Sequence, residues 1–389
     1  MVRRGAFGAS RRAASRLSAL VALTAVLLAS TAVAGPALAT TATLKAVIIV
    51  GPTHELTDQN LSDGEALARL AESYGMDVRR VFHPRATWTN VLANVQGANL
   101  VVYLGHGYGW PSPYPPFRER YQNGVGLNPY EGAAKTDVDY HGGKTIRESW
   151  RLAPNAVVFL SHLCYAAGQG ESGMASPTWD IARQRVDNMA SGYLYAGAGA
   201  VFAYSMQPFH RTLELLMTTD QTVDQIFRTP GSIPHAYYGW IGSDPRYFDS
   251  VRTPGARNLI DPDTSSGPAY QRAVTGNLAL TGAQWRGEQL GGWTAPLFVN
   301  TPPTPGGLTA KALANRYVQL KWDPVTVNYF GGAKYKVFRN GRLIASVGSA
   351  TWFTDRPGTV GTYRYQVLAI DPVRVKSALS APVSVQVTN

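Results

Sequence analysis

A single cysteine, Cys164, stands among 389 residues. That excludes an internal disulfide framework and leaves the thiol three roles: inert buried residue, intermolecular link or reactive group. None of the 7 histidines is paired at the i, i+4 spacing of a helical metal motif, so no metal and no other cofactor is expected. No pair of acidic residues ends neighbouring apolar runs, as a glycosidase with two carboxylates ~5–10 Å apart would require. Beyond the N-terminus no apolar stretch approaches the ~20 residues of a spanning helix, and no basic helix suggests nucleic acid. Glutamate is missing altogether from residue 301 to the end.

What the sequence does contain begins with an export signal. Arg3, Arg4, Arg11, Arg12 and Arg16 precede the apolar run Leu17 to Leu28, and Ala32-Val33-Ala34 and Ala37-Leu38-Ala39 offer cleavage sites. Residues 1–39 therefore read as a signal peptide, and the mature chain as secreted or associated with the cell envelope. An uncleaved anchor is the competing reading, but the run is short for it.

Charge divides unevenly. The formal net charge is +11, of which the five signal arginines supply +5, leaving +6 for the mature chain. Residues 301–389 carry 11 Lys and Arg against 3 Asp, or +8, so residues 40–300 are close to neutral at −2. The basic C-terminal segment could draw an anionic envelope polymer by long-range attraction; an ordinary solvated basic surface is the plainer alternative.

From residue 44 onward, apolar runs alternate with helical patterns. The runs are KAVIIVG (45–51), DVRRVFH (77–83), NLVVYLG (99–105), AVVFLS (156–161) and GAGAVFAY (197–204). Between them, Ser62 to Glu65 reads as a capping box, Thr87 as the cap of a helix through Val95, and Ser176-Pro177 as the start of TWDIARQRVDNMA. A further helix is expected from about Arg211 to Phe227. Such alternation implies a mostly parallel sheet covered on both faces, whose ligands gather beyond the carboxyl ends of the strands.

Two strand ends stand out under that rule. ANLVVYLGHGYG places His106 one residue past the third strand, and NAVVFLSHLCYAAG places Cys164 three past the fourth. A thiol and an imidazole on one rim supply a nucleophile and a base, and an activated thiol would carry a raised thiolate fraction near neutral pH. The backbone N–H groups of Gly107 and Cys164 would form an oxyanion hole. Singly, each residue has a bland reading: a packing histidine in a glycine-rich turn, a small buried hydrophobe. His162 is a rival base, while His54, His83 and His141 occupy other loops. The loop Gly107 to Asn128, with Trp110, Tyr114, Phe117 and Tyr121 among prolines, would wall a groove or serve as a plain surface loop.

Strand, His-Gly, long loop, strand, Cys, helix and then Ala198-Gly199-Ala200-Val201-Phe202 resembles the caspase-hemoglobinase fold of cysteine peptidases, the group of caspases, gingipains, legumains and CHAT domains, over Leu44 to Gln207. The resemblance implies that His106 is the catalytic histidine, Cys164 the nucleophile and Gly107 an oxyanion donor. It departs from the family at Cys164-Tyr165-Ala166-Ala167-Gly168, where glycine follows the cysteine later than usual. Members often read a charged side chain with an opposite charge; Asp58, Asp63, Asp137 and Asp139 are equivalent candidates.

Residues 230–300 read as a β-rich extension of the α/β domain or as a cover for its groove, with Asn277 to Leu280 as one alternating run. The Pro-rich linker 301–305 follows. YVQLKW, AKYKVFRNG, TWFTD, YRYQVLAID and APVSVQV then alternate strictly, as in a sandwich. Trp322 before Asp323-Pro324, Tyr335 running into Arg339-Asn340-Gly341, and Tyr363-Tyr365 make residues 306–389 resemble a fibronectin type III domain. The expected protein is a caspase-like α/β domain over 40–300 plus this all-β module: an exported cysteine endopeptidase acting on a peptide or protein substrate. Two alternatives stand beside it, a non-catalytic envelope or adhesion protein and a polysaccharide-acting hydrolase carrying a fibronectin module.

Overall fold

Runs of β-branched residues without polar alternation need cover on both faces, and the chain supplies it in a three-layer α/β arrangement. The computed structural model describes residues 43–205, 209–229, 245–262, 269–291 and 293–389. The expected signal segment, and parts of the stretch 237–294, lie outside the described residues.

In chain order the elements are β1 (Lys45–Val50), α1 (Thr57–Ser73), β2 (Asp77–Phe82), α2 (Trp88–Val95), β3 (Leu100–Leu104), β4 (Val125–Leu127), β5 (Asp139–His141) and α3 (Gly143–Ser149). Then come β6 (Ala156–Ser161), α4 (Trp179–Tyr195), β7 (Ala198–Tyr204), α5 (His210–Thr218), α6 (Val223–Arg228), β8 (Arg246–Asp249), β9 (Arg257–Asp261) and β10 (Arg272–Gly276). One sheet runs β2-β1-β3-β6-β7-β10-β9-β8. Its first five strands are parallel. The last three are antiparallel, which amends the expectation of a mostly parallel sheet. The links into β9 and β10 are too short for a parallel crossover, so the chain can only turn back.

Alternation sorts the strands onto two faces. Val47, Ile49, Val101, Tyr103, Val158 and Leu160 point toward the side of α2, α3 and α4, whereas Ile48, Val50, Val102, Leu104, Phe159 and Phe202 point toward α1, α5 and α6. Burial on both sides fixes strand register, because a slip of one residue would exchange the two sets.

Several boundaries differ from the sequence expectation. Helix α1 opens at Thr57, not at Ser62, because Thr57 Oγ1 accepts from the Thr53 N–H at 2.9 Å and starts the turn early. Thr87 caps α2 as expected, but α4 is capped by Thr178, not Ser176. The expected helix 211–227 is two helices, interrupted where Thr222 forms a capping box with Gln225. Asn277 to Leu280 is a turn; the strands among the described residues of this region are β8, β9 and β10.

The C-terminal module comprises β11 (Thr309–Ala312), β12 (Val318–Lys321), β13 (Lys334–Arg339), β14 (Arg342–Val347), β15 (Trp352–Asp355), β16 (Gly361–Ile370) and β17 (Val383–Val387). Sheets β11-β12-β15 and β14-β13-β16-β17 enclose Val318, Leu320, Trp322, Tyr335, Val337 and Tyr365. This is the two-sheet sandwich that the fibronectin resemblance implies; β11 and β14 were not among the strands read from sequence. Among the described residues no helix is long and apolar enough to cross a membrane.

Candidate functional site

Strands β3 and β6 are neighbours and parallel, with Leu104 in register with Ser161. Two residues past that line comes His106, and three past it Cys164, so both emerge on the carboxyl rim. Gly107 closes the gap: a Cβ placed on it would run into the carbonyl oxygen of Cys164. Any larger residue would push the two strand ends apart.

His106 is held from beneath. The hydroxyl of Tyr103, fully buried, lies 2.7 Å from the carbonyl of Gly126 and 3.1 Å from that of His106, and accepts the N–H of Gly126 at 2.8 Å. The half-buried imidazole leaves Nε2 buried with no hydrogen-bond partner among the described residues. Burial, then the nearby His54, lower its pKa, while Glu171 draws it up. At neutral pH His106 is therefore an uncharged base.

The thiol of Cys164 is half-buried and free. Burial, then the Glu171 carboxylate, push its pKa up, and backbone hydrogen bonds from Ser172 and Cys164 itself pull the other way. The expectation of a raised resting thiolate fraction is corrected: desolvation of the sulfur outweighs its hydrogen bonds. At rest Cys164 is a protonated thiol and His106 a neutral imidazole.

Backbone on either side of Cys164 is strained. His162 and Tyr165 adopt φ of 61° and 72°, in the left-handed region that favours glycine. Tyr165 pays for it with contacts: its hydroxyl donates to Glu171, and the Arg185 guanidinium lies 4.8 Å from its ring centroid. Gly168 is also left-handed, at φ 110°. The turn that a glycine near the cysteine would make freely is thus made here by a buried tyrosine. His162, the rival base, has its Nδ1 engaged with Asn60 Oδ1 at 2.7 Å.

Two residues of the site were not singled out from sequence. His54, four residues beyond β1, belongs to the same rim rather than a separate loop, and its ring meets that of His106 at 5.1 Å. The rule that located His106 would have found it. Glu171 accepts from Tyr165 and, at 3.2 Å, from the Tyr114 hydroxyl; its position seven residues after the cysteine carries no sequence signal. Other candidates fall elsewhere. Asp58 binds Lys135 at 2.6 Å, Asp63 accepts from Gln59, Asp137 accepts from the Ala134 N–H, Asp139 lies 3.1 Å from His141, and His83 meets Asn128.

A cleft of about 400 Å³ opens beside the thiol, with Leu56, His162, Glu171, Met174 and Gln271 in its walls. Of the aromatic loop, Tyr114 reaches Glu171, while Trp110 and Phe117 stack on each other at 5.7 Å. Among the described residues no cluster of three His, Cys, Asp or Glu could hold a metal ion.

No protein-family model matches the chain. It is similar to chitinase Chi52 of Paenibacillus xylanexedens, 34% identical over 125 residues, covering 30% of this chain and 24% of that protein. It is also similar to a poly(3-hydroxybutyrate) depolymerase of Ralstonia pickettii, 38% identical over 81 residues, covering 21% of this chain and 16% of that one. The chain thus spans a quarter or less of the curated relatives it matches. Among solved structures, a human fibronectin type III domain (16% identity, TM-score 0.20) and the FN5 domain of Drosophila Lar (20% identity, TM-score 0.18) each align with 23% of this chain, over 87% and 99% of their own lengths.

Proposed function

We propose that the chain is an exported hydrolase directed at a polymer, cleaving an acyl bond such as a peptide amide through Cys164 with His106 as base. The observation that carries the reading is the joining of the β3 and β6 ends, where Gly107 is seated on the backbone of Cys164. The parallel strands β2-β1-β3-β6-β7, covered by helices, support the caspase-like relationship.

The chemistry follows from the resting state. As sulfur attacks the carbonyl carbon, neutral His106 takes the thiol proton, so thiolate forms only during reaction. The oxygen of the tetrahedral intermediate gathers negative charge, received by the N–H groups of Gly107 and Cys164. His106 then returns the proton to the leaving amine as the carbon–nitrogen bond breaks, leaving a thioester. Water, deprotonated by His106, attacks that thioester and restores the thiol.

The partial likeness to a chitinase and a depolymerase favours a second reading, a polysaccharide-acting enzyme. Those names denote enzymes of different polymers, so the likeness supports a polymer-directed protein without selecting a bond. Glycoside hydrolysis needs two carboxylates ~5–10 Å apart. Glu171 is the one acidic residue in the described wall of the cleft, and two tyrosines occupy it. Peptide libraries and chitin, each offered to wild type and Cys164→Ala, separate the readings. Thiol-dependent peptide cleavage supports the first; chitin cleavage that survives Cys164→Ala overturns it.

A further inference from the structure

The loop leaving His106 is gripped from the C-terminal module. Glu119, midway along residues 107–124, is buried, and its carboxylate receives two Arg147 nitrogens at 2.7 and 2.9 Å, one of Arg252, and the hydroxyl of Tyr329 at 3.0 Å. Tyr329 belongs to the sandwich, between β12 and β13, yet is only 4% exposed. Its ring lies 4.1 Å from the Arg252 guanidinium and edge-on to Phe117 at 6.4 Å. Arg252 reaches on to Asn188 at 2.8 Å, whose amide donates to the Trp110 carbonyl at 2.9 Å. The cluster therefore holds the loop at Trp110, Phe117 and Glu119, and the loop begins at Gly107, on Cys164.

The charge states make this a durable contact. Burial alone would raise the Glu119 pKa, but Arg252 and Arg147 outweigh it and bring it down to about 2. Burial and Glu119 push the Tyr329 hydroxyl up, so it remains a donor. Nearby, Asn328 donates to Tyr195 at 3.1 Å, and the Arg147 guanidinium lies 3.8 Å from the Phe298 ring centroid.

We infer that the C-terminal module is a fixed part of the site, not a detachable spacer, and that Tyr329 is a positioning residue holding the 107–124 loop in place beside Cys164. The inference goes beyond the proposed chemistry and is independent of the bond cleaved.

The test compares the full chain with Tyr329→Phe, which removes only the hydroxyl, and Tyr329→Ala. Hydrogen exchange is read at the amides of Tyr121, Gln122 and Asn123, which donate to Arg118 and Tyr108 carbonyls. Iodoacetamide labelling of Cys164 is followed alongside. In Tyr329→Phe these amides should exchange about tenfold faster, the equivalent of one hydrogen bond to a charged acceptor. Tyr329→Ala should exceed that. Labelling of Cys164 should quicken in both, with exchange in β3 and β13 unchanged. Loop exchange and labelling at wild-type rates in both variants would overturn the inference, as would a rise shared equally by β3 and β13. Neither readout uses catalysis, so a wild type that cuts no peptide would count against the Cys164 chemistry and leave this inference standing.

Discussion

The imidazoles of His54 and His106 meet edge to face, their centroids 5.1 Å apart and their planes at 86°. His54 is one of the influences that lower the His106 pKa. Replacing His54 with Gln should let that pKa rise toward the ordinary value. Because the base works uncharged, the acid limb of the pH profile of kcat/KM should move to higher pH, with activity at pH 6 falling most. An acid limb that stays in place would remove His54 from the site.

Glu171 acts on the thiol with the opposite sign. Its carboxylate raises the Cys164 pKa, so Glu171→Gln should lower it and increase the thiolate fraction. Alkylation at pH 8 should become faster than in wild type. In the unmodified protein at pH 7.5 it should be slower than for a small free thiol, since burial leaves the resting sulfur protonated.

Cys164→Ala should abolish hydrolysis while thermal unfolding and secondary structure stay close to wild type. Undiminished peptide cleavage by that variant would end the thiol mechanism.

Gly107→Ala tests the closeness of the two strand ends. The new methyl meets the Cys164 backbone, which cannot swing away as a flexible side chain would. A loss of about 1–3 kcal/mol in urea unfolding is expected, with activity lost as well. Stability within error of wild type would show that the strand ends can separate freely.

Stability should fall in acid in two stages. The pKa values of His83, His106, His141 and His210 are lowered chiefly by burial, so folding favours their neutral forms. That contribution is present above the unfolded value of about 6.5 and is lost as pH falls through the folded values. Glu119, lowered to about 2, adds a second loss below the ordinary carboxyl value of 4.5. Thermal midpoints from pH 8 to 3 check both. Glu119→Ala should cost about 3–5 kcal/mol at pH 7, because Arg147 would be left buried without its carboxylate and Arg252 with Asn188 as its remaining acceptor.

The strands of the α/β sheet and the sandwich were legible because their periodicities are undiluted. KAVIIV and LVVYL can only be buried, and YRYQVLAI alternates throughout. Strand order explains why His106 and Cys164, each just past the end of an apolar run, come out on one rim. Caps were harder: Ser62 and Ser176 have the right chemistry, but α1 starts five residues before Ser62 with no side-chain cap, and Thr178, accepting from the Ile181 N–H, caps α4 in place of Ser176. The thiol's raised pKa was illegible for a related reason. Desolvation depends on everything surrounding a sulfur, and Glu171 reaches Cys164 through a turn built by Tyr165. Tyr329 gave no signal, since nothing in the order of residues brings position 329 to position 119.

That last pair bears on how such a chain could be assembled and reassembled. Sandwich modules shuffle between proteins most easily when their tethers are inert. Here a foreign module with the same fold but no tyrosine at the place of Tyr329 would leave the Glu119 carboxylate one donor short. Grafts at the 301–305 boundary should therefore keep their own fold and lose order in the loop beside Cys164. Restoring a single tyrosine should recover it, which makes compatibility between the modules a property of one hydroxyl more than of the linker.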